Sequence, residues 1–298
     1  MQIGLVGLGK MGYPLALNLH EQKHDVIAFD VNTQLVEQVG KEGVGTTNSM
    51  QELVNKLQGR RVIWLMVPAG PIVDKILDQL LPLLKKDDIV IDGGNSHFKD
   101  SVRRGKNATA SGIGYLDCGT SGGVDGARHG ICAMIGGDKS VFDYCEPIFK
   151  SIALPGGYLY TGAGGSGHYV KMVHNGIEYG MMQSIAEGFS LMEKSEYDMD
   201  FKKIADLWNQ GSVIRGWLME LCGNAFSKDA KLSGIKGIAH ASGEGQWMLE
   251  NALERKVAVP VTALSLLMRF QSQDEENFAA KVVAALRNEF GGHAVEKA

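Results

Sequence analysis

A glycine-rich string near the start of the chain constrains the fold more than any other feature. It reads Gly-Leu-Gly-Lys-Met-Gly over residues 7–12 and follows a short apolar run, residues 2–6, that is typical of a β-strand. The first glycine of such a string permits a tight turn, the second lets phosphates approach the backbone, and the third lets a helix pack on the strand. The string therefore predicts a dinucleotide site with contacts from Gly7, Leu8, Gly9, Lys10, Met11 and Gly12.

The first half of the chain alternates short β-branched runs with amphipathic helical patterns. This alternation is typical of a mostly parallel, doubly wound α/β sheet. The predicted strands are residues 2–6, 25–30, 61–67, 88–92, 114–118, 131–135 and 157–160. The predicted helices between them are residues 14–22, 34–41, 71–84 and 139–152.

Strand signals disappear after about residue 165. Long helical patterns replace them at residues 168–194, 201–210, 244–255, 261–271 and 275–288. A glycine-rich segment at 161–167 marks the change. The sequence therefore predicts an N-terminal Rossmann-type domain over residues 1–163 and an all-helical C-terminal domain over residues 164–298.

Charge and cysteine content exclude several classes of protein. Lys plus Arg is 30 and Asp plus Glu is 34, so the net charge of −4 argues against a protein that coats nucleic acid or anionic membrane. The four dispersed cysteines form no Cys-x-x-Cys pair and are typical of reduced thiols. There is no basic leader and no apolar run long enough to span a bilayer. We expect a cytoplasmic protein without a metal site.

Asp30 indicates which dinucleotide the chain binds. It ends the second predicted strand, 18 residues beyond Gly12, where this fold places the acid that binds the adenosine ribose. Its carboxylate would accept hydrogen bonds from a 2′-hydroxyl and repel a 2′-phosphate, and residues 31–33 supply no Arg or Lys. The sequence therefore favours NAD over NADP. The alternative is that Asp30 only caps the next helix.

A polar stripe lies on the first predicted helix of the C-terminal half. It consists of Lys171, His174, Asn175, Glu178 and Tyr179, whose spacing places them on one helical face. The rest of that helix is apolar, so we expect it to be largely buried. A buried lysine close to a glutamate is tuned toward general-base work. A structural ion pair is the alternative.

Two further strings follow predicted strands. Residues 92–96 read Asp-Gly-Gly-Asn-Ser, and residues 117–123 read Asp-Cys-Gly-Thr-Ser-Gly-Gly. Ligands of open α/β sheets bind beyond the carboxyl ends of the strands, so these strings are expected to be loops that contact the substrate. For isolated Gly-Gly pairs, ordinary turn chemistry is the alternative.

Taken together, the motifs resemble those of the β-hydroxyacid dehydrogenases and, within that family, the 6-phosphogluconate dehydrogenases. The resemblance rests on Asp-Gly-Gly-Asn at 92–95, Ser-Gly-Gly at 121–123 and Lys-x-x-His-Asn-x-x-Glu-Tyr at 171–179. It implies that Lys171 is the acid/base group and that Glu178 is the proton donor. It also implies cofactor contacts from Val67 and Asn95, and substrate contacts from Asn95, Ser121, Gly122, Gly123, His174, Asn175, Tyr179 and Arg215.

The resemblance extends to the end of the chain. Residues 287–293, Arg-Asn-Glu-Phe-Gly-Gly-His, resemble a tail motif that completes the active site of a neighbouring subunit. It implies that Arg287 and His293 bind substrate in a homodimer or homotetramer. From composition alone, the alternative is a frayed chain end. The chain is also similar to the short form of these enzymes, in which NAD use is common. Ser242 and Glu244 stand where the long form has phosphate contacts.

The activity implied by the resemblance is oxidative decarboxylation of 6-phospho-D-gluconate to D-ribulose 5-phosphate with reduction of NAD. Two alternatives remain open at this point. One is a non-decarboxylating NAD-dependent 3-hydroxyacid dehydrogenase, in which Glu178 would have no chemical role. The other is an NAD-responsive binding protein without turnover.

Overall fold

A single sheet forms the core of the N-terminal half of the chain. The computed structural model describes residues 1–297. The strands are β1 (Gln2–Val6), β2 (Asp25–Phe29), β3 (Gly45–Thr46), β4 (Val62–Leu65), β5 (Ile89–Asp92), β6 (Gly114–Ser121), β7 (Ile131–Gly137) and β8 (Ala153–Gly162). They lie in the order β3-β2-β1-β4-β5-β6-β7-β8, and each neighbouring pair is parallel except the antiparallel β6–β7 pair. The predicted doubly wound, mostly parallel α/β sheet is confirmed.

Helices cover both faces of this sheet. They are α1 (Gly12–Glu21), α2 (Thr33–Lys41), α3 (Met50–Lys56), α4 (Pro71–Leu80), α5 (Phe98–Ala110), α6 (Gly123–His129) and α7 (Lys139–Ile152). Successive strand residues point to opposite faces, so Trp64 joins an apolar layer with Phe149 while Leu65 joins another with Leu77. Burial on both faces explains why the central strands are continuous apolar runs.

The carboxyl ends of the parallel strands meet at one edge of the sheet. The glycine string follows β1, Asp30 follows β2, Val67 lies just beyond β4, and Asn95 follows β5. In open α/β sheets this edge is where ligands bind. The fold therefore brings four sequence-predicted positions to one edge although they are far apart in the chain.

The remainder of the chain is helical, as predicted. It contains α8 (Ser166–Glu193), α9 (Phe201–Trp208), α10 (Trp217–Lys228), α11 (Glu244–Arg255), α12 (Pro260–Gln271) and α13 (Phe278–Gly291). The chain divides into two compact units, and the division falls within α8, between His174 and Asn175. Within residues 1–297, none of the helices is both long and apolar enough to cross a bilayer.

Several elements differ from the sequence-based prediction. The predicted strand 114–118 extends to Ser121, because β7 pairs with it as far as the Ser121–Cys132 register, so residues 117–121 are strand and not loop. Helix α5 was not predicted because it buries Ser101, Arg104 and Ala108 instead of an apolar stripe. Strand β3 and helices α3, α6 and α10 were also not predicted, and the first three of these have at most seven residues each.

Candidate functional site

The glycine string forms a tight turn between β1 and α1. Gly7 has a φ of +100°, and a Cβ on Gly12 would lie 2.0 Å from the carbonyl oxygen of Gly7. Protein packing therefore explains both of these glycines. A Cβ on Gly9, by contrast, would have no protein atom within 4 Å. Together with the absence of a side-chain cap on α1, this open surface fits a phosphate group held against the backbone.

Asp30 is hydrogen-bonded to the glycine string. Its carboxylate accepts the N–H of Leu8 at 2.6 Å and the N–H of Asn32 at 2.7 Å. The N-cap of α2 is Asn32, whose side chain accepts the N–H of Gln34, so the capping role considered for Asp30 belongs to Asn32. Asp30 thus connects the end of β2 to the turn after β1.

Val67, Lys10 and Met11 lie close to the turn formed by the glycine string. A Cβ on Gly7 would lie 2.8 Å from Cγ1 of Val67, so the Val67 side chain lies against the string. Lys10 is exposed, and Met11 packs against the apolar core beside α1. The structure therefore brings Val67 next to the predicted cofactor contacts.

Asn95 joins the loop after β5 to the end of β6. It has a φ of +54°, its Oδ1 accepts the N–H of Thr120 at 2.9 Å, and its Nδ2 donates to the carbonyl of Thr120 at 3.2 Å. These two bonds hold the backbone immediately before Ser121. A ligand contact through Asn95 can still use the second hydrogen of Nδ2 or the second lone pair of Oδ1.

A buried ion network supports the loop that carries Asn95. Arg104, which is 2% exposed, donates to both carboxylate oxygens of Asp74 and to Ser96, and Ser96 in turn donates to Asp92. The Arg104 guanidinium lowers the pKa of the Asp74 carboxyl. Burial, with a further contribution from Asp92, raises the pKa of Tyr115, so its hydroxyl remains a donor to Asp92. Each buried charge in this network has a partner, which offsets its loss of hydration.

Lys171 and His174 lie on the first turns of α8, beside β6. Lys171 is 6% exposed, and its Nζ lies 3.4 Å from Nδ1 of His174. Nε2 of the same imidazole lies 3.1 Å from Oγ of Ser121. When Lys171 donates to Nδ1, the other ring nitrogen carries the hydrogen and donates to Ser121. The Ser121 hydroxyl can then donate to a bound anion.

The Ser-Gly-Gly segment ends β6 and begins α6. Gly122 has a φ of +110° and is the N-cap residue of α6, which begins at Gly123. A Cβ on Gly123 would meet no protein atom within 4 Å. As with Gly9, the glycine at this position leaves open backbone that a ligand can approach.

Helix α8 buries its polar stripe, as predicted, but only part of its apolar remainder. We expected the whole helix to be largely buried, and Met172 is buried, but Val170, Ile177 and Met181 are exposed. Within the polar stripe, Lys171, Asn175 and Tyr179 are buried, and His174 and Glu178 are half-buried. The five residues of the polar stripe are therefore shielded from solvent, wholly or in part.

Tyr179 makes a compact group with two residues of the helical unit. Its hydroxyl accepts the N–H of Ser242 at 3.1 Å and lies 3.2 Å from the Ser242 Oγ. The guanidinium of Arg269 stacks on the tyrosine ring, 3.5 Å from its centroid. We did not predict Arg269 from the sequence. The available signal was a single cation in the apolar run Leu-Leu-Met-Arg-Phe of α12.

The remaining predicted substrate residues are exposed and, within residues 1–297, form no hydrogen bond, ion pair or ring contact with Tyr179, Ser242 or Arg269. Arg215 lies in an exposed turn after α9, Arg287 is exposed on α13, and His293 is exposed beyond the end of α13. Helix α13 has no buried residue, although Phe278, Leu286 and Phe290 are large and apolar. As for metals, residues 1–297 contain no cluster of three or more His, Cys, Asp or Glu side chains suited to an ion.

Comparison with known proteins identifies the family. Residues 2–162 match the family model described as the NAD binding domain of 6-phosphogluconate dehydrogenase. Residues 167–298 match the model for the 6-phosphogluconate dehydrogenase C-terminal domain.

Individual relatives agree with these matches. The Bacillus subtilis protein YqeC is 52% identical, with complete coverage of both chains. The Haloferax volcanii protein named as the NAD(+)-dependent, decarboxylating 6-phosphogluconate dehydrogenase is 43% identical over 100% of this chain and 99% of its own. The Plasmodium falciparum 6-phosphogluconate dehydrogenase structure is 32% identical with a TM-score of 0.85, and the match covers 100% of this chain and 66% of that one. The chain belongs to the 6-phosphogluconate dehydrogenase family.

Proposed function

We propose that this protein catalyses the oxidative decarboxylation of 6-phospho-D-gluconate to D-ribulose 5-phosphate and CO2, with NAD as the oxidant. The observation that carries the proposal is the buried Lys171 amine, which lies beside His174 while His174 contacts Ser121 at the carboxyl end of β6. The Haloferax volcanii relative, 43% identical over the full length, is named for this NAD-dependent reaction. The proposal therefore rests on the contacts among Lys171, His174 and Ser121 and on a relative of the same length.

The cofactor is held by the glycine string, Asp30 and Val67. The open backbone at Gly9 receives the pyrophosphate, and the Asp30 carboxylate accepts from the adenosine ribose hydroxyls. Asp30 favours NAD over NADP because its negative charge repels a 2′-phosphate and the neighbouring Val31 offers no cation. When bound, NAD supplies the hydride acceptor for oxidation at C3.

Lys171 performs the first proton transfer. Its neutral amine accepts the proton of the C3 hydroxyl as C3 is oxidised to a ketone. The C1–C2 bond of this 3-keto acid then breaks, CO2 leaves, and the electron pair forms an enediolate. Protonated Lys171 stabilises the oxygen on which negative charge develops.

Glu178 completes the reaction. It lies on the same helix as Lys171, seven residues later, which corresponds to about two helical turns. Its carboxyl group donates a proton to the carbon that becomes C1 of the product, and the enediol becomes ribulose 5-phosphate. A simple 3-hydroxyacid dehydrogenase has no step that needs this proton donor.

The substrate is held at both ends. Ser121, the Gly122–Gly123 backbone and His174 bind the carboxylate and C3 region, with Asn95 and Asn175 orienting hydroxyl groups. Tyr179 binds the phosphate together with Arg269 and Ser242, because the Arg269 guanidinium is already held against the ring of Tyr179. Arg215 adds a second cation from the exposed turn after α9.

A second copy of the chain completes the site. Helix α13 buries no residue of its own and exposes apolar side chains, so its stable position requires another surface. The Arg287 and His293 side chains at its end reach the phosphate end of the partner's substrate. The functional unit is therefore a homodimer or a homotetramer.

The first prediction concerns Glu178. Glu178→Gln removes the proton donor and keeps the shape, so the rate of 6-phosphogluconate turnover should fall about 10²-fold or more. Glu187→Gln is the matched control, because Glu187 is an exposed glutamate on the same helix. NADH formation and CO2 release are measured for both variants. A near-normal rate for Glu178→Gln would show that the reaction does not include the proposed protonation.

The second prediction concerns the choice of cofactor. Asp30→Ser with Val31→Arg removes the carboxylate and adds a cation at a side chain that is 90% exposed. The ratio of kcat/KM for NAD to kcat/KM for NADP should fall by about tenfold or more, because a charged hydrogen bond is worth ~1.5–3 kcal/mol. Val31→Arg alone is the control and should change the ratio less, since Asp30 still repels the phosphate. An unchanged ratio in the double variant contradicts the role of Asp30.

The third prediction concerns the tail. Lys171→Ala and Arg287→Ala should each be nearly inactive, and a mixture refolded together should regain about a quarter of wild-type activity if dimers exchange at random. The recovered sites combine Lys171 of one chain with Arg287 of the other. A mixture of Lys171→Ala with Glu178→Gln is the control and should recover nothing, because both groups come from the same chain. Equal recovery in the two mixtures, or none in either, contradicts the exchanged tail.

A further inference from the structure

Asp117 is a buried acid for which the proposed reaction has no step. It lies on β6, is 0% exposed, and is distant in sequence from the groups that it contacts. Its Oδ1 accepts the N–H of Gly165 at 2.6 Å, and its Oδ2 accepts the N–H of His168 at 2.8 Å. Gly165 immediately precedes α8, and His168 lies in its first turn. A strand residue thus binds the beginning of the helix that carries Lys171.

Every second residue of β6 from Asp117 onward contacts α8. After Asp117 comes Gly119, where a Cβ would lie 2.4 Å from the Cβ of Lys171, and then Ser121, which is within hydrogen-bond distance of His174. The four residue steps from Asp117 to Ser121 span roughly 13 Å as strand, and the nine steps from Gly165 to His174 also span roughly 13 Å at the rise of a helix. Strand and helix therefore run side by side in matching register.

The first turn of α8 packs so closely against the sheet that there is no room for a side chain between the two backbones. A Cβ on Gly136 would lie 2.7 Å from the nitrogen of Gly167, and a Cβ on Gly167 would lie 2.4 Å from the carbonyl oxygen of Met134. Because the backbones at Gly136 and Gly167 are in direct contact, a displacement of the first turn of α8 also displaces the next turn, which carries Lys171. The two hydrogen bonds of Asp117 are the polar interactions that β6 makes with that first turn.

We propose that Asp117 is a positioning residue that sets the location of the Lys171 amine relative to Ser121. It contacts neither substrate nor cofactor and acts through α8. The kinetic consequence rests on the proposed function, since Lys171 must be the group that moves the proton. The positional consequence does not depend on the identity of the substrate.

The test compares Asp117→Asn with Asp88→Asn. Asp88 is the matched control: it is also buried, and its carboxylate also accepts two backbone N–H groups, those of Arg61 and Lys85, but it precedes β5 at the opposite end of the sheet. In Asp117→Asn one of the two N–H groups faces an amide donor. The kcat for 6-phosphogluconate should fall about tenfold or more, with KM for NAD unchanged, because small misplacements of a reacting group are costly.

A second readout needs no substrate. The rate at which acetic anhydride labels Lys171, measured by peptide mass spectrometry, should change about threefold or more in Asp117→Asn. The labelling of the exposed Lys281 serves as the internal reference. Asp88→Asn should leave both kcat and Lys171 labelling unchanged, even where the two variants lose similar thermal stability.

The outcomes are separable. The proposal is overturned if folded Asp117→Asn keeps both its kcat and its rate of Lys171 labelling within about twofold of wild type. It is also overturned if Asp88→Asn loses as much kcat as Asp117→Asn. If wild type does not turn over 6-phosphogluconate, the proposed function fails, and Lys171 labelling still decides the role of Asp117. If Asp117→Asn does not fold, Asp117→Glu keeps both acceptors and displaces them by one methylene. Wild-type kcat and labelling in that folded variant would overturn the proposal.

Discussion

The close contact between β6 and the first turns of α8 is the constraint on which the rest of the site depends. Glycines at 119, 136 and 167 leave no room for a Cβ, so backbone lies against backbone and Lys171 is held at the carboxyl end of the sheet. An amine buried in this position is costly unless polar groups surround it. His174, which also contacts Ser121, provides one such neighbour.

The loops at the cofactor-binding edge of the sheet are also held in place by hydrogen bonds to the strand ends. Asp30 and Asn95 both form hydrogen bonds with backbone groups on neighbouring strand ends, to Leu8 and Thr120 respectively. The buried Arg104 network then fixes the loop that carries Asn95. Residues that resemble binding groups in the sequence therefore also hold the loops in place, and substitution of either will affect geometry as well as binding.

Much of this organisation could be predicted from the sequence because it follows from local patterns. The glycine string, the alternation of strands and helices, and the helical second half all have a short-range signature. Helix α5 could not be recognised in this way, because two of its buried positions are polar: Arg104 is paired with Asp74, and Ser101 is hydrogen-bonded to His168. The exposure of Val170 and Ile177 on α8 was missed because periodicity groups residues on a face but does not show what covers that face. Arg269 depends on a contact with Tyr179 that is 90 residues away in sequence, and spacing alone cannot show it.

The central claim is that oxidation and loss of CO2 are coupled in one active site built around α8. The most direct measurement incubates the wild-type protein with NAD and 6-phosphogluconate labelled at C1, and follows NADH and labelled CO2 in the same sample. The account predicts equal molar yields of the two products at every time point. NADH without labelled CO2 would contradict decarboxylation and would indicate a simple dehydrogenase. Failure to form NADH would contradict the assignment of 6-phosphogluconate as the substrate.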